Sequence, residues 1–266
     1  MRKYIDAEAF MKLIQRQGYL DFLRRNRERP IIKVVSGIRR CGKSTLFRLF
    51  KDELLADNVK PEQIISINFE ELEYEHLRDY HALYQYILER MQPDEMNYIF
   101  LDEIQHVDQF HRVVDSLFVK ENTDLYITGS NAYFMSSDIA TLLTGRYVEI
   151  QMLPLSFREF YHSKYDGNQY SLIPAYESYL RESSFPYTQQ LGGEDFDIQE
   201  YLRGLYNTLL LHDVVARLKI NDVTILQDMV RYIMANVGSL LSPNKIANSL
   251  VSAGRKIDNK TVERYL

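Results

Sequence analysis

Residues 31–45 constrain the fold of this chain more than any other part of its sequence. They read IIKVVSGIRRCGKST, a β-branched apolar run that leads directly into the spacing Gly37-x-x-x-x-Gly42-Lys43-Ser44. This combination predicts a strand, a phosphate-binding loop and then a helix, because the glycines let successive backbone N–H groups face an anion. The positive end of the helix dipole adds to the attraction. The segment therefore predicts an α/β fold with a phosphate site at the end of a strand.

The residues of this loop have separate predicted roles. Lys43 is expected to reach the β- and γ-phosphates of a bound nucleotide, and the Ser44 hydroxyl is expected to bind Mg²⁺. ATP and Mg²⁺ are therefore the predicted ligands. The predicted nucleotide-binding residues are Gly37, Ile38, Arg39, Arg40, Cys41, Gly42, Lys43, Ser44 and Thr45.

A second motif, MNYIFLDEIQ at residues 96–105, is an apolar run that ends in two adjacent carboxylates. We expect Asp102, at the end of this strand, to hold Mg²⁺ through its water shell. Side chains alternate in direction along a strand, so Glu103 can face the γ-phosphate and polarise a water molecule as a general base. An isolated Asp-Glu pair after a strand is usually a solvated turn, but a phosphate-binding loop upstream favours a hydrolytic site.

A third motif, DLYITGSN at residues 124–131, reads as another apolar strand that ends in small polar residues. Thr128, Ser130 and Asn131 are candidates for a side chain that senses the γ-phosphate. In P-loop ATPases with a Glu beside the Mg²⁺ carboxylate, such a strand lies between the loop strand and the acidic strand. An ordinary turn is an equally good interpretation of the Gly-Ser-Asn ending.

Three residues near these motifs have two interpretations each. Arg146 follows Gly145 and could meet charge on a γ-phosphate of its own or a neighbouring subunit, or it could be a surface arginine after a helix-ending glycine. Cys41, at a helix N-terminus beside two arginines, has either an acidic thiol or no special role. Glu70 could approach the Mg²⁺ or lie in a solvated acidic loop. The predicted catalytic residues are Glu103, Lys43, Arg146 and Ser130.

Strand and helix patterns alternate up to about residue 155 and predict a three-layer α/β core with a mainly parallel, five-stranded sheet. Ligands of such sheets bind at the carboxyl ends of the strands, where all three motifs fall. The predicted parts are an N-terminal helix within residues 1–28, the core at 29–162, a linker or lid of weak periodicity at 163–198 and an all-helical region at 199–266.

The all-helical region ends in two short predicted helices. Ser242-Pro243 supplies a cap and a first-turn proline, Gly254 ends the first helix, and the second begins near Asn259. This pattern predicts a helix-turn-helix, or a partial winged helix, with duplex DNA as the partner of its basic side chains. A structural hairpin with solvated lysines is the alternative. The charged residues are Lys245, Arg255, Lys256, Lys260 and Arg264 against Asp258 and Glu263.

Composition limits the partners and the compartment. A formal net charge of −5 excludes a chain that coats nucleic acid with its whole surface, so any DNA contact must be local. No apolar run approaches the ~20 residues that cross a bilayer, and a single cysteine fits a reducing compartment. We therefore predict a cytoplasmic location without a membrane partner, and we leave open a protein partner or a homo-oligomer. The chain ends inside its last predicted helix, so we expect a longer natural protein.

Four segments together resemble a large family of prokaryotic AAA-type ATPases that carry a C-terminal domain of unknown function, number 4143. They read GIRRCGKSTL, FLDEIQHVDQF, ITGSNAYF and TGRYVEIQMLPLSFREFY. Residues 154–160 are the most family-specific part, Gly145-Arg146 matches a recurrent family motif, and residues 198–266 are similar to the start of the C-terminal domain. The chain departs from the family at Ser183-Ser184, where members often have a Gly-Gly turn.

The resemblance implies that the loop binds the nucleotide phosphates, that Asp102 binds Mg²⁺ and that Glu103 holds the attacking water. We expect an ATPase whose hydrolysis resets a C-terminal helical module and so changes its engagement with DNA or a partner protein. Two alternatives remain open. One is a nucleotide-gated switch or adaptor with negligible turnover, and the other is phosphoryl transfer to a separate acceptor.

Overall fold

The computed structural model of the chain describes residues 13–130, 143, 145–165, 170–191, 195–209, 214, 215, 220 and 222–266. The chain divides into two compact units, one ending at Ile198 and the other beginning at Gln199. The finer division into four parts stays a prediction. Among the described residues, no helix combines the length and apolar character that a bilayer span requires.

A five-stranded sheet forms the centre of the first unit. Its strands are β1 (Ile32–Gly37), β2 (Ile64–Asn68), β3 (Asn97–Asp102), β4 (Thr123–Ser130) and β5 (Tyr147–Met152). All neighbouring strands are parallel, in the order β2-β3-β4-β1-β5. The predicted α/β core is therefore confirmed. Because β4 lies between β1 and β3, the predicted insertion of a strand between the loop strand and the acidic strand is confirmed as well.

Helices cover both faces of this sheet, which explains why β1 and β3 are buried at every residue. The first four are α1 (Gln17–Asn26), α2 (Lys43–Ala56), α3 (Tyr80–Leu88) and α4 (Phe110–Phe118). One face packs against α1 and α2, where Phe47 contacts Phe100 of β3 at a ring-centroid distance of 5.2 Å. The other face packs against α3 and α4 through Leu83 and Val113, among others. Sheet and helices thus make the three predicted layers.

The structure describes two of the predicted parts of the first unit in more detail. The described N-terminal helix begins at Gln17, residues 13–16 before it are not helical, and residues 1–12 lie outside the described part. The predicted linker contains a helix, α6 (Leu172–Glu182), which follows α5 (Phe157–Tyr165). Tyr179 of α6 packs against Phe157 and Phe160. Several other apolar side chains of α6 are exposed, which explains why the sequence of this helix shows only a weak periodicity.

Ser183 and Ser184 form the turn after α6. Ser183 has a φ of +75°, in the left-handed region that glycine adopts without strain. The carbonyl of Ser184 then accepts a hydrogen bond of 2.7 Å from the N–H of Leu155, just after β5. The serine pair therefore makes a turn that returns the chain to the end of the sheet.

The second unit is helical, and α7 (Asp195–Thr208) leads into it. The later helices are α8 (Val223–Ala235), α9 (Pro243–Ser252) and α10 (Asn259–Tyr265). The predicted cap of α9 is confirmed, since the Ser242 hydroxyl accepts a hydrogen bond of 3.2 Å from the N–H of Lys245. The buried side chains between these helices include Leu226, Met229, Ile246, Leu250, Val262 and Tyr265. A winged-helix-like end stays a prediction.

A buried polar network lies at the amino ends of the strands, away from the loop. Lys33 of β1 is fully buried and forms an ion pair with Asp124 of β4. Its ammonium group also donates to the carbonyl of Arg29 at 2.9 Å, while the hydroxyl of Tyr126 and the N–H of Glu28 donate to Asp124 at 2.6 and 2.8 Å. Burial lowers the pKa of Lys33, and Asp124 opposes this effect.

We expect Lys33→Met to lower the free energy of unfolding by about 3–5 kcal/mol, because it leaves the charge of Asp124 buried without its partner. The matched control Arg24→Met breaks an exposed pair with Glu53 and should cost less than about 1 kcal/mol. Urea denaturation followed by circular dichroism measures both. Similar losses in the two variants would contradict the structural role of the buried pair.

Candidate functional site

The predicted phosphate-binding loop connects the carboxyl end of β1 to α2, and its two glycines are needed for different reasons. A Cβ atom on Gly37 would lie 2.3 Å from the carbonyl oxygen of Met152 on β5, so only glycine fits there. Gly42 caps α2 with a φ of +104°, a conformation that other residues rarely adopt. Arg40 has a φ of +67°, so the loop also holds a non-glycine residue in a strained conformation.

Lys43 brings the first two motifs together. Its side chain is almost completely buried, and its Nζ atom lies 3.2 Å from the carbonyl oxygen of Gly37 and 3.4 Å from that of Ile38. The same nitrogen lies 3.1 Å from Oε1 of Glu103. The lysine of the loop and the proposed base of the second motif are therefore in direct contact, at the carboxyl ends of β1 and β3.

Asp102 ends β3 and accepts hydrogen bonds from the hydroxyls of Ser44 and Thr128. Burial raises the pKa of the Asp102 carboxyl, and although these hydroxyls and Lys43 oppose that effect, the pKa remains above its usual value. The two predicted Mg²⁺ ligands are thus adjacent oxygen donors. A hard cation fits this pair, since it would offset the cost of the buried negative charge.

Glu103 follows β3 in a left-handed conformation, with a φ of +54°. Its N–H donates to the hydroxyl of Thr128 at 2.9 Å, and its carboxylate accepts from the side-chain amide of Gln105 as well as contacting Lys43. Burial acts to raise the pKa of Glu103, but Lys43 and Gln105 outweigh it and lower the pKa. The strained backbone therefore presents an ionised carboxylate to the loop, as a proton acceptor requires.

The third motif places its candidates differently. Thr128 is fully buried between Asp102 and Glu103 and bonds to both, so its hydroxyl aligns the acidic pair. The backbone of Ser130 pairs in register with Gly37, which puts this position beside the loop. Asn131 lies outside the described residues. A γ-phosphate sensor at Ser130 stays a prediction.

The predicted own-chain role of Arg146 is wrong. Its carbonyl accepts a hydrogen bond of 2.8 Å from the N–H of Ile32, the first residue of β1, and its guanidinium lies 3.0 Å from Asp115 of α4. Arg146 is therefore at the amino ends of the strands, whereas Lys43 lies at their carboxyl ends. A role towards a neighbouring subunit stays a prediction.

The structure decides between the two interpretations of Cys41 and gives one contact for Glu70. Cys41 is fully buried, and burial raises the pKa of its thiol despite the nearby Lys43 and Arg16, so an unusually acidic thiol is wrong. Glu70 follows β2 close to the acidic strand, and its carboxylate lies 3.6 Å from the guanidinium of Arg39 in the loop. Glu70 thus lies at the same edge of the sheet as the predicted Mg²⁺ ligands.

Sequence reasoning missed Arg16, a buried residue just before α1. Its Nε and Nη2 atoms donate to the two carboxylate oxygens of Glu159 at 2.8 and 3.0 Å. Its Nη1 donates to the carbonyls of Leu153 and Cys41, the latter at 3.2 Å, and Nη2 also donates to Pro154 at 3.2 Å. These five bonds match the five N–H groups of a guanidinium.

Glu159, in the first turn of α5, has two roles. Its carboxylate accepts from the N–H of Ser156 at 2.8 Å, and its own N–H donates to the Ser156 hydroxyl at 3.3 Å. This is a capping box, readable in the sequence as Ser-x-x-Glu at the start of α5. The second partner of the carboxylate, Arg16, could not be inferred, because no local pattern connects residues so far apart in the chain.

An apolar cleft adjoins the loop and also escaped sequence reasoning, because four separate segments form it. They are the residues before α1, helix α2, the end of β5 and the turn after α6. The side chains that line the cleft include Leu13, Ile14, Leu49, Met152, Pro186 and Gln190.

The Arg16–Glu159 pair predicts a pH dependence of stability. Burial acts to raise the pKa of Glu159, but the bonds from Arg16 and Ser156 outweigh it, so the pKa lies below the usual 4.5. A lowered folded-state pKa stabilises the fold above the unfolded-state value, and this contribution disappears as the pH falls through the folded-state pKa. We expect Glu159→Gln to be less stable than the native chain at pH 7, with a difference that shrinks between about pH 5 and 3.

Urea denaturation at each pH, followed by circular dichroism, checks this expectation. The difference in unfolding free energy between the two proteins isolates Glu159 from the other carboxylates, which titrate in both. A difference that stays constant from neutral to acidic pH would contradict the assigned shift.

Comparison with known proteins gives a matching family and several similar proteins. Residues 29–161 match the family described as AAA domain. An uncharacterized protein of Haemophilus influenzae is 38% identical, over 96% of this chain and 64% of the relative. An uncharacterized protein of Methanocaldococcus jannaschii is 31% identical, over 88% of this chain and 53% of the relative. The chain thus spans less than two thirds of the length of either relative.

A solved structure of a Walker-type ATPase from Pyrococcus abyssi is also similar. It has a TM-score of 0.64 at 16% identity and covers 95% of this chain and 87% of its own. At this level of identity the likeness concerns the fold alone.

Proposed function

This chain belongs to the AAA domain family, and on that premise we propose that it binds ATP with Mg²⁺ and hydrolyses the nucleotide. The observation that carries the proposal is the meeting of Lys43, Ser44, Asp102 and Glu103 at the carboxyl ends of β1 and β3. Nucleotide hydrolysis needs such groups close together: a cation, a hydroxyl and two carboxylates whose pKa values shift in opposite directions.

In this proposal the loop binds the phosphates of the nucleotide, and the adjoining cleft binds its base. The backbone N–H groups of the loop and Lys43 bind the phosphates, which the N-terminus of α2 also attracts. The base enters the cleft, where Met152 and Pro186 supply apolar contacts and the Gln190 amide supplies a polar one.

The residues suited to Mg²⁺ are Ser44 and Asp102. Across the described ranges, no group of three or more His, Cys, Asp or Glu side chains could hold a metal ion by itself. The remaining ligands of Mg²⁺ would be phosphate and water oxygens, as is usual for this ion. When bound, Mg²⁺ supplies positive charge that neutralises the phosphates.

Glu103 is the proposed general base. Its carboxylate accepts a proton from a water molecule as the water oxygen bonds to the γ-phosphorus and the bond to the β-phosphate oxygen breaks, which yields ADP and inorganic phosphate. Thr128 keeps the backbone of Glu103 in place during this step. Ser130, as the sensor, and an Arg146 contributed by a neighbouring copy are further parts of the proposal.

We expect Glu103→Gln to reduce the rate of phosphate release from ATP by about 100-fold or more while ATP binding persists, because the amide cannot accept the proton. Lys43→Ala should weaken ATP binding itself. The matched control Glu89→Gln changes an exposed carboxylate at the end of α3 and should keep native turnover. Steady-state phosphate release and calorimetric binding measure these effects.

The same experiment distinguishes the ATPase from the nucleotide-gated switch. A native chain that binds ATP through Lys43 but does not turn it over would favour the nucleotide-gated switch. A chain in which neither binding nor turnover depends on Lys43 would refute the nucleotide site altogether.

Coupling of hydrolysis to DNA is the proposed output, with a protein partner or a homo-oligomer as alternatives in the cytoplasm. The second unit supports a DNA contact, because Lys245, Lys256, Lys260 and Arg264 are exposed on or between α9 and α10. Arg255 contributes less, since its Nε atom lies 2.7 Å from Asp228.

The DNA contact predicts salt-sensitive binding of duplex DNA that weakens in Lys256→Gln/Lys260→Gln. Each lost phosphate contact should reduce the slope of log affinity against log salt by about 0.9. The control Lys60→Gln/Lys120→Gln removes the same charge from the first unit and should bind normally. Fluorescence anisotropy at several salt concentrations provides the measurement, and identical binding by both double variants would contradict the assignment.

A further inference from the structure

The hydrogen bonds of Arg16 reach the loop at a single peptide group. The guanidinium donates to the carbonyl oxygen of Cys41, and the N–H of the same peptide group belongs to Gly42. In a planar trans peptide the C=O and N–H bonds point in opposite directions. Arg16 therefore holds the Cys41 carbonyl on its own side of the loop and turns the Gly42 N–H to the opposite side.

The conformation of the loop makes this peptide group susceptible to rotation. Arg40 and Gly42 both have positive φ values, +67° and +104°, so Cys41 lies between two unusual backbone conformations. Glycine, the residue at position 42, has the widest backbone conformational freedom of any residue type. A hydrogen bond to the Cys41 carbonyl is thus an effective way to select one orientation of the peptide that follows it.

The contacts of Arg16 hold its guanidinium rigidly enough to fix the orientation of this peptide group. Glu159 binds the guanidinium through both carboxylate oxygens, and the capping box with Ser156 fixes Glu159 in turn. The guanidinium carbon lies 4.5 Å from the centre of the Tyr19 ring. Bidentate pairing and contact with an aromatic ring both restrict the plane of an arginine head group.

The last residue of β5 and the residues that follow it contact the loop near both of the loop's ends. At the first end, the Met152 carbonyl packs so closely against Gly37 that a Cβ atom does not fit. At the second end, Arg16 joins the carbonyls of Leu153 and Pro154 to that of Cys41. The end of β5 and the residues just after it, together with Arg16, therefore support the shape of the loop although they lie outside it.

We propose that Arg16 is a positioning residue that aims the Gly42 N–H at the nucleotide phosphates through the Cys41 carbonyl, and that Glu159 fixes Arg16 for this purpose. This inference rests on the proposed ATP-binding function. Its consequence is specific, because loss of one hydrogen bond to a charged phosphate weakens nucleotide binding before it affects the chemistry at Glu103.

Lysine cannot replace arginine in this role. An ammonium group has three donors on a flexible stem, whereas Arg16 uses five donors in a rigid plane. Arg16→Lys therefore keeps the positive charge near the loop but not the alignment. Glu159→Gln keeps the shape of its side chain but replaces one carboxylate oxygen by an amide group, which cannot accept from Arg16.

The test compares steady-state ATP hydrolysis and ADP binding in the native chain, Arg16→Lys and Glu159→Gln. We expect Arg16→Lys to raise the KM for ATP and the Kd for ADP by about tenfold, the effect of one hydrogen bond to a charged group, and to change kcat less than about threefold. Glu159→Gln should change the same constants in the same direction by a smaller factor. Glu159→Gln retains its hydrogen bonds with Ser156, so it tests the same role if Arg16→Lys does not fold.

Glu182→Gln is the matched control. It neutralises a buried carboxylate on α6 that pairs with Lys164 of α5, without contacting the loop. Its KM, kcat and Kd should equal those of the native chain at a temperature where all variants are folded. Thermal denaturation with and without ADP establishes that temperature.

The outcomes distinguish this inference from the proposed function. Native hydrolysis with an unchanged KM in both Arg16→Lys and Glu159→Gln would overturn the positioning role and leave the ATPase proposal intact. A loss in kcat at constant KM, or an equal rise in KM in Glu182→Gln, would also overturn it. Absence of Lys43-dependent nucleotide binding in the native chain would instead refute the proposed function.

Discussion

The parallel alignment of five strands is the constraint on which the rest of this structure depends. Because every neighbouring pair runs in the same direction, the residues that follow β1, β3 and β4 all emerge at one edge of the sheet. Helices on both faces exclude water from these strands, and the continuous apolar runs hold their register. Lys43, Asp102 and Thr128 meet for this reason, although they belong to three separate motifs.

Tertiary contacts shift the pKa values of two adjacent carboxylates in opposite directions. Asp102 is buried with hydroxyl donors, and burial raises its pKa, whereas Glu103 contacts the ammonium of Lys43 and has a lowered pKa. The left-handed backbone at Glu103 produces the difference, because it turns the second carboxylate towards the loop. Thr128 stabilises that conformation by accepting the N–H of Glu103. One left-handed residue and one hydroxyl thus place two neighbouring carboxylates in different surroundings.

The loop, in turn, depends on groups outside its own motif. Met152 requires glycine at its first position, and Arg16 binds the carbonyl that precedes Gly42. The capping box that begins α5 supplies the carboxylate for Arg16, so a feature that looks like a local helix signal also contributes to the site. Arg146, the residue before β5, lies by contrast at the amino ends of the strands, away from the loop.

The sequence by itself determined the α/β class, the positions of the loop and the acidic pair along the chain, and the cap of the helix that begins at Pro243. These features follow from local patterns: apolar runs of strand length, glycines with fixed spacing, and caps such as Ser242. Only the tertiary structure decided the partner of Glu159, the side of the sheet on which Arg146 lies, and the helix at 172–182 in the presumed linker. Such features depend on contacts between distant segments, and no periodicity or spacing within one segment encodes which distant group will meet it.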